Sequence, residues 1–249
     1  MTDPRPAVVA KRLSGLRRVI AFSSAKGGVG KTMCTVVSAL ALAQGGRRVG
    51  ILDLDMQGAS AHLFLGLTPR LPEEDHGILP LPVVDGVSLM SVAAFTGERA
   101  LPLRGAEVSD AVLELLAVTM WGPAEFLLVD MPPGMGEEIL DLSRLVPRLE
   151  ALVVSTPAAV SVSVVERLLS VLKELRVPVP ALIANMVQDD AGPVRKLARR
   201  NGVESVVEVP VDPFLESAIG NPVALASSRA GRAIAEALAG LGYLKGGGK

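Results

Sequence analysis

Residues 25–32 read Ala-Lys-Gly-Gly-Val-Gly-Lys-Thr. This stretch follows the apolar run at residues 19–23 and precedes a helix-patterned stretch that begins at Lys31. A strand, a glycine-rich turn and a helix start, in that order, are the context of a phosphate-binding loop. In such a loop backbone N–H groups wrap the phosphates, and the helix start adds a positive end. The stretch therefore predicts a nucleotide site.

Each residue type in this loop has a task. The glycines permit backbone conformations that a side chain would forbid, and they let phosphate approach closely. Lys31 is expected to reach the β and γ phosphates of the bound polyphosphate, and the Thr32 hydroxyl is expected to bind Mg²⁺. A glycine turn that merely contains two lysines is the alternative, and the Gly-Lys-Thr ending disfavours it. The predicted nucleotide-binding residues of the loop are Gly27, Gly28, Val29, Gly30, Lys31, Thr32 and Met33.

Composition narrows the class of protein. The chain has 249 residues, 49% of them hydrophobic, which is enough for one large domain or two small ones. A formal net charge of −1 gives no general attraction to nucleic acid or anionic membrane. Cys34 is the single cysteine, so no disulfide framework exists and a reducing, cytoplasmic setting is expected. The longest apolar stretch, residues 151–165, is interrupted by serines and a proline, so no membrane span is expected.

Strand-like and helix-like segments alternate along the chain. Several strand candidates are continuous apolar runs, as in strands that are covered on both faces. The pattern predicts a doubly wound α/β fold, with a mostly parallel sheet and helices on both faces. The predicted strands are residues 19–23, 49–54, 88–92, 126–130, 151–155, 181–185 and 206–209. The predicted helices are residues 32–44, 108–118, 137–145, 160–175, 192–201 and 229–241.

The domain organisation is predicted to be simple. Residues 1–18 lack an apolar signal core and carry several basic residues, so a loose basic arm is expected. Residues 19–244 are predicted to form a single ATPase domain, and residues 245–249 a flexible tail. Within the domain, residues 68–86 are rich in proline and show no clear periodicity, which suggests a long surface excursion.

Aspartates follow two of the predicted strands, at the edge where a parallel sheet binds its ligands. Asp53 and Asp55 end one apolar strand, and Asp130 ends another. Asp130 is expected to hold a water on Mg²⁺, and Gly134 is expected to lie near the γ phosphate. Burying such carboxylates is costly unless they serve a cation or a water. Solvated aspartates in a strand-end turn are the alternative for Asp53 and Asp55.

The second lysine of the loop, Lys26, resembles the "deviant" phosphate loop of the MinD/ParA/Mrp/nitrogenase-iron-protein class of ATPases. The resemblance implies a homodimer bridged by ATP, in which Lys26 crosses the interface to the partner's nucleotide. A solvated loop charge is the alternative for Lys26. The stretch Asp130-Met131-Pro132-Pro133-Gly134 is more specific, and with it the chain resembles the Mrp/ApbC family of iron–sulfur cluster carrier ATPases. The resemblance covers residues 19–227.

The resemblance also implies roles for further residues. By position, Asp55 would orient the attacking water, and Asp53 would support the Mg²⁺ shell and the loop lysines. Asn185 would bind the adenine by a hydrogen bond, although asparagine at a strand end is also a common turn former. The loop that would cover the base contains Pro210, Val211 and Asp212.

One departure from the family concerns metal. Mrp-type proteins carry a Cys-x-x-Cys pair shortly after the Asn-Met, and two protomers join these cysteines around a bridging cluster. Here residues 185–193 read Asn-Met-Val-Gln-Asp-Asp-Ala-Gly-Pro, without cysteine. Cluster ligation needs several soft thiolates, and Cys34 is predicted to be a buried core residue. The usual bridging cluster is therefore not expected, and Asp189 and Asp190 are expected to be solvated rather than to bind a hard cation.

Three functional hypotheses follow. The first is a slow ATPase that assists iron–sulfur or metallocofactor maturation of a client protein. The second is a MinD/ParA-like positioning switch that binds DNA or a protein partner when it is dimerised by ATP. The third is a nucleotide-dependent adaptor without hydrolysis, which the intact Lys31 and Asp130 argue against. For DNA, the candidate residues lie on one face of a predicted helix, where a merely solvated face is the alternative: Arg195, Lys196, Arg199 and Arg200.

Overall fold

In a computed structural model, residues 3–96, 103–134 and 136–244 are described, and their strands form one eight-stranded sheet. The sheet order is β3-β4-β2-β5-β1-β6-β7-β8. All neighbouring pairs are parallel except β3 with β4. The strands are β1 (Arg18–Ser23), β2 (Val49–Asp53), β3 (Leu81–Val84), β4 (Val87–Ser91), β5 (Phe126–Asp130), β6 (Leu149–Ser155), β7 (Ala181–Val187) and β8 (Ser205–Pro210).

Helices cover both faces of this sheet, which confirms the predicted doubly wound α/β class. The six predicted helices all form, within two residues of the expected bounds. The helices of the described segments are α1 (Arg5–Leu13), α2 (Lys31–Gln44), α3 (Ala61–Phe64), α4 (Ala93–Thr96), α5 (Ala106–Val118), α6 (Glu137–Leu145), α7 (Ala159–Glu174), α8 (Gly192–Asn201), α9 (Leu215–Ala218), α10 (Pro222–Ser227) and α11 (Arg229–Gly240).

Two hydrophobic cores lie on the two faces of the sheet, and β1 contributes to both. Val19 and Ala21 belong to the core under α1, α5, α6, α7 and α8, whereas Ile20 and Phe22 belong to the core under α2 and α11. This alternation follows from the period of two along a strand. It explains why the central strands are continuous apolar runs. The loop after β1 leaves the sheet between β5 and β6, at the carboxyl edge where such folds bind ligands.

The prediction of a loose basic arm at residues 1–18 is wrong for the part that forms α1. Val9, Leu13 and Leu16 are buried, and α1 packs against α5. Val9 and Leu13 lie on one face of α1, Leu16 follows the helix, and the burial of all three outweighs the basic residues between them. Arg5 pairs with Asp110 on α5. The segment is therefore part of the packed fold.

The proline-rich excursion at residues 68–86 contains a strand that the sequence pattern did not reveal. β3 pairs with β4 as the antiparallel edge of the sheet, and Pro82 is tolerated there because an edge strand has one unpaired side. The buried Trp121, the only tryptophan of the chain, lies beside this region. A Cβ added to Gly50 of β2 would lie 2.4 Å from Trp121 Cε3, so the indole packs directly on the strand backbone.

Two further predictions concern the C-terminal tail and a membrane span. The flexible tail at residues 245–249 lies outside the described residues. Among the helices of the described segments, none is long and apolar enough to cross a membrane.

Candidate nucleotide-binding site

The glycine-rich loop joins β1 to the first turn of α2. Gly28 and Gly30 have φ angles of +76° and +82°, in the left-handed region that favours glycine. No heavy atom lies within 4 Å of a Cβ placed on Gly28, so the loop leaves open space there. α2 has no side-chain cap, and its first N–H groups lack intrahelical partners. The loop and helix start together fit an anionic phosphate chain.

Asp130 at the end of β5 holds three side chains of α2. Lys31 Nζ donates to Oδ1 at 2.6 Å, and Thr32 Oγ1 donates to Oδ2 at 2.6 Å. Thr35 Oγ1 also donates to Oδ1, at 3.0 Å. Asp130 is fully buried and Lys31 is 6% exposed. Each charged group therefore has the other, rather than water, as its partner. Thr35 is not among the residues predicted from the sequence, although it lies three residues after Thr32 on the same helix face.

Asp53 at the end of β2 is the register partner of Asp130 and is also fully buried. Its carboxylate accepts from the backbone N–H groups of Asp55, Ser60 and Ala61, at 3.1 to 3.2 Å. Burial, followed by the negative charge of Asp130, raises the pKa of Asp53 to about 7. Asp53 thus organises the turn after β2.

The residues present fit a hard divalent cation. Asp53 and Asp130 are two buried carboxylates at the ends of adjacent strands, and Asp130 is bonded to the Lys31 ammonium and to the Thr32 hydroxyl. Carboxylate and hydroxyl oxygens are the ligands that Mg²⁺ prefers. The electrostatics therefore favour the predicted Mg²⁺ position.

Two other predicted residues are held by backbone hydrogen bonds. Asp55 is half-buried, and its Oδ1 accepts from the N–H groups of Gln57 and Gly58, at 3.2 and 2.9 Å. Gly134 has a φ of +109° and donates its N–H to the Ser24 carbonyl at 2.8 Å, which joins it to the chain just before the phosphate loop. Their roles toward water and the γ phosphate stay predictions.

Lys26 is exposed, in contrast to Lys31. Within residues 3–96, 103–134 and 136–244, no hydrogen bond or ion pair holds its side chain. Such a side chain is available to a second molecule, but it is equally a solvated charge. The two alternatives stay open.

The adenine residues predicted by resemblance lie at the ends of β7 and β8. Asn185 is 2% exposed, and its Nδ2 donates to the Val29 carbonyl at 2.8 Å, so its amide contacts the phosphate loop itself. Pro210 ends β8, and Val211 donates its N–H to the Val187 carbonyl. The Asp212 carboxylate accepts from the N–H groups of Phe214 and Arg229, which ties the loop to the start of α11. Contact with a base stays a prediction for all four.

The segment after β7, where the resemblance led us to look for a cysteine pair, has no cysteine and is held by exposed ion pairs. Arg195 on α8 pairs with Asp190 and with Glu208. Cys34 is buried in α2, and burial raises its pKa to about 12, so it stays a thiol. No group of three or more His, Cys, Asp or Glu that could hold a metal is present in the described part of the chain. Residues 185–193 offer no thiolate ligand for a cluster.

The basic face predicted on α8 is partly neutralised. Arg195 is engaged by two acids, and Arg200 lies 3.4 Å from Glu166. Lys196 and Arg199 are exposed. Two of the four basic residues, Lys196 and Arg199, are therefore left to contact the phosphates of DNA.

The chain is similar in sequence to several proteins named iron-sulfur cluster carrier protein. The chain is 34% identical over 222 residues to the iron-sulfur cluster carrier protein of Methanocaldococcus jannaschii, covering 83% of this chain and 77% of that protein. It is 33% identical to the carrier protein of Mycobacterium bovis, of which it spans 66%, and 35% identical to that of Escherichia coli, of which it spans 48%.

Solved structures share the fold. The nucleotide-binding protein of Archaeoglobus fulgidus in complex with ADP matches with a TM-score of 0.76 and 27% identity, covering 88% of this chain and 92% of that one. The cell division ATPase MinD of Pyrococcus furiosus matches at 0.66 and 19% identity, covering 91% and 100%, and shows the fold alone. A family model described as ParA, NUBPL iron-transfer P-loop NTPase, matches residues 15–241. Because this match covers the sheet, the phosphate loop and Asp130 together, the chain belongs to the NUBPL iron-transfer P-loop NTPase family.

Proposed function

We propose that this protein is a Mg²⁺-dependent ATPase that dimerises around ATP and assists iron–sulfur cluster assembly on a client protein. The observation that carries the proposal is the contact of Asp130 with both Lys31 and Thr32 at the loop. It links the phosphate-binding lysine and the magnesium-binding hydroxyl through one buried carboxylate. We further propose a cytoplasmic location, which suits a chain with one buried thiol.

The residues divide the work as follows. Lys31 and the N–H groups of the loop bind the β and γ phosphates, and Thr32 and Asp130 would hold Mg²⁺, one of them through water. When bound, Mg²⁺ neutralises charge on the phosphates. Asp55 orients a water for attack on the γ phosphate, giving ADP and phosphate. We expect this hydrolysis to be slow without a partner, as in other nucleotide switches.

Apolar side chains at the nucleotide edge support dimerisation. Val160 at the start of α7 is 65% exposed, Met186 at the end of β7 is 44% exposed, and Phe214 after β8 is 71% exposed. Exposed apolar groups at one edge of a sheet favour association. A second copy facing this edge would also bring Lys26 to the partner's nucleotide.

The cargo is argued from the relatives, whose printed name is iron-sulfur cluster carrier protein. Since the described residues lack the usual cysteine ligands, we propose that the client, rather than this chain, supplies the thiolates. Anaerobic reconstitution with iron and sulfide, with and without ATP, tests this directly. We expect no iron to stay on the isolated dimer. A stable cluster at near-stoichiometric iron would show that other ligands suffice.

Two lysine variants test the ATPase itself. Lys31→Ala should lower ATP turnover at least about a hundredfold, because the charge at the phosphates is lost. Lys26→Ala should still bind ATP, measured by calorimetry, but should no longer dimerise with ATP in sedimentation. Normal ATP-dependent dimerisation of Lys26→Ala would contradict its action across the interface. Normal turnover in Lys31→Ala would contradict the ATPase assignment.

A positioning ATPase that binds DNA is the second candidate, and the ion pairs of Arg195 and Arg200 weigh against it. Binding of the ATP-loaded protein to random duplex DNA distinguishes the two. Salt-sensitive binding would favour the positioning role. ATP-stimulated activation of an iron–sulfur apoenzyme would favour the cluster role.

A further inference from the structure

Asn185 at the end of β7 is directed at the phosphate loop. Its Nδ2 lies 2.8 Å from the carbonyl oxygen of Val29, across 156 positions of sequence. A carbonyl oxygen only accepts hydrogen bonds, so the NH₂ side of the amide must face it. Asn185 is 2% exposed, so water does not compete for this hydrogen bond.

The bond fixes the orientation of one peptide group of the loop. No cis peptide bond occurs in the described chain, so the peptide that joins Val29 to Gly30 is planar and trans. In such a unit the C=O and the N–H point in opposite directions. Holding the Val29 oxygen toward β7 therefore directs the Gly30 N–H away from β7. Phosphate loops bind anions by N–H groups that converge on one point. Asn185 therefore fixes the direction of one of these N–H groups, that of Gly30.

Asn185 also restricts the side chain that residue 30 can carry. Gly30 has a φ of +82°, and a Cβ placed on it would lie only 2.2 Å from Asn185 Nδ2. The same Cβ would lie 3.6 Å from the Cε methyl of Met186. The end of β7 thus fills the space behind Gly30, and glycine is required there for two independent reasons.

The end of β7 departs from regular strand geometry at this contact. Its register with β8 shifts between Ala184 and Val187, and Met186 has a φ of +57°. A non-glycine residue in the left-handed region is uncommon and costs conformational energy. The irregularity lies beside the bond to Val29, and the pairing resumes at Val187 with Pro210.

We propose that Asn185 is a positioning residue for the phosphate loop, and that its amide preorganises the Gly30 N–H for phosphate before any base is contacted. This differs from the adenine contact that the family resemblance implies, because a base contact would leave the loop itself unchanged. The inference rests on the nucleotide binding of the proposed function.

Hydrogen–deuterium exchange without nucleotide tests the proposal on the protein alone. In Asn185→Ala the amide of Cys34, which donates to the Gly30 carbonyl at 3.0 Å, should exchange about tenfold faster than in wild type, since the peptide group before Gly30 loses its buried hydrogen bond. Asn201→Ala is the matched control, because its Nδ2 donates to the Leu197 carbonyl at 3.0 Å on α8, away from the loop. Unchanged exchange of the Cys34 amide in a folded Asn185→Ala would overturn the proposal. If that variant does not fold, Asn185→Leu, of nearly equal size and without a donor, replaces it.

Calorimetry with Mg·ATP, Mg·GTP and inorganic tripolyphosphate separates the two roles of the amide. A positioning residue predicts a similar loss for every ligand that wild type binds, about tenfold, whatever the base. A base-reading residue predicts that only ATP binding weakens, and this result would overturn the proposal. If wild type binds no Mg·ATP, the proposed function fails, whereas the exchange experiment still tests the bond between Asn185 and the loop.

Discussion

The nucleotide edge of the sheet has two halves, whose ion pairs differ in burial. The phosphate half consists of the segments that follow β1, β2 and β5. The β7–β8 half consists of the segments that follow β7 and β8. In the phosphate half, Lys31 and Asp130 are buried and bonded to each other at 2.6 Å. In the β7–β8 half, Asp190 and Arg195 form an ion pair whose side chains stay 65% and 41% exposed. Burial makes the first pair mutually dependent, while water screens the second.

This difference predicts how each half tolerates substitution. Replacing Lys31 or Asp130 in the phosphate half would leave a partner charge buried and unpaired, which is costly. The charged residues Asp190 and Arg195 of the β7–β8 half are exposed, so either can be replaced at little cost to the fold.

The largest effect is expected from Asp130→Ala, which would break the phosphate half. Lys31 would remain buried without its counter-charge, Thr32 would lose its acceptor, and Thr35 would keep only the Lys31 carbonyl. We expect a loss of about 3 kcal/mol in the free energy of unfolding, measured by denaturant titration. Asp130→Asn, which keeps one acceptor oxygen, should lose less. A loss below about 1 kcal/mol in Asp130→Ala would show that the buried pair is not interdependent.

An intermediate effect is expected where the two halves meet. Gly30→Ala places a Cβ at 2.2 Å from Asn185 Nδ2, whereas Gly28→Ala meets nothing within 4 Å at a similar φ. Both variants should lose about 1 kcal/mol from the left-handed backbone, and Gly30→Ala about 1 kcal/mol more from the displaced amide. Thermal unfolding of the two variants side by side gives the difference. Equal losses would mean that the β7–β8 half does not constrain the loop.

The smallest effect is expected from Arg195→Ala in the β7–β8 half. Its pairs with Asp190 and Glu208 are exposed, so their removal changes little. The midpoint of thermal unfolding should stay within about 2 °C of wild type. A much larger drop would place this half among the parts that the fold depends on, and the contrast with Asp130 would disappear.

Much of the fold could be predicted from the sequence because its signals are local. The phosphate loop, the apolar strands and the six longer helices each occupy a continuous stretch with its own periodicity. α1 was missed because its two buried residues, Val9 and Leu13, are separated by the basic residues Lys11 and Arg12. β3 was missed because it has only four residues and contains Pro82.

The site could be predicted in its residues but not in its contacts. Lys31, Thr32 and Asp130 were expected around one Mg²⁺, and the structure brings their side chains together. The bond from Asn185 to Val29 joins residues 156 positions apart, and no local pattern encodes such a contact. The hydrogen bonds that Asp53 accepts from the N–H groups of Ser60 and Ala61 likewise depend on how the chain folds back after β2.

The packing of Trp121 on Gly50 gives the protein an optical reporter. Because the chain has no second tryptophan, and because this indole is 4% exposed, its emission comes from one apolar environment. Unfolding would move that emission to longer wavelength as water reaches the ring. The ring touches the same strand that carries Asp53 at its other end, so a shift of β2 on nucleotide addition would be seen as a change in quantum yield. A fluorimeter can therefore follow both folding and any movement of this strand without a label.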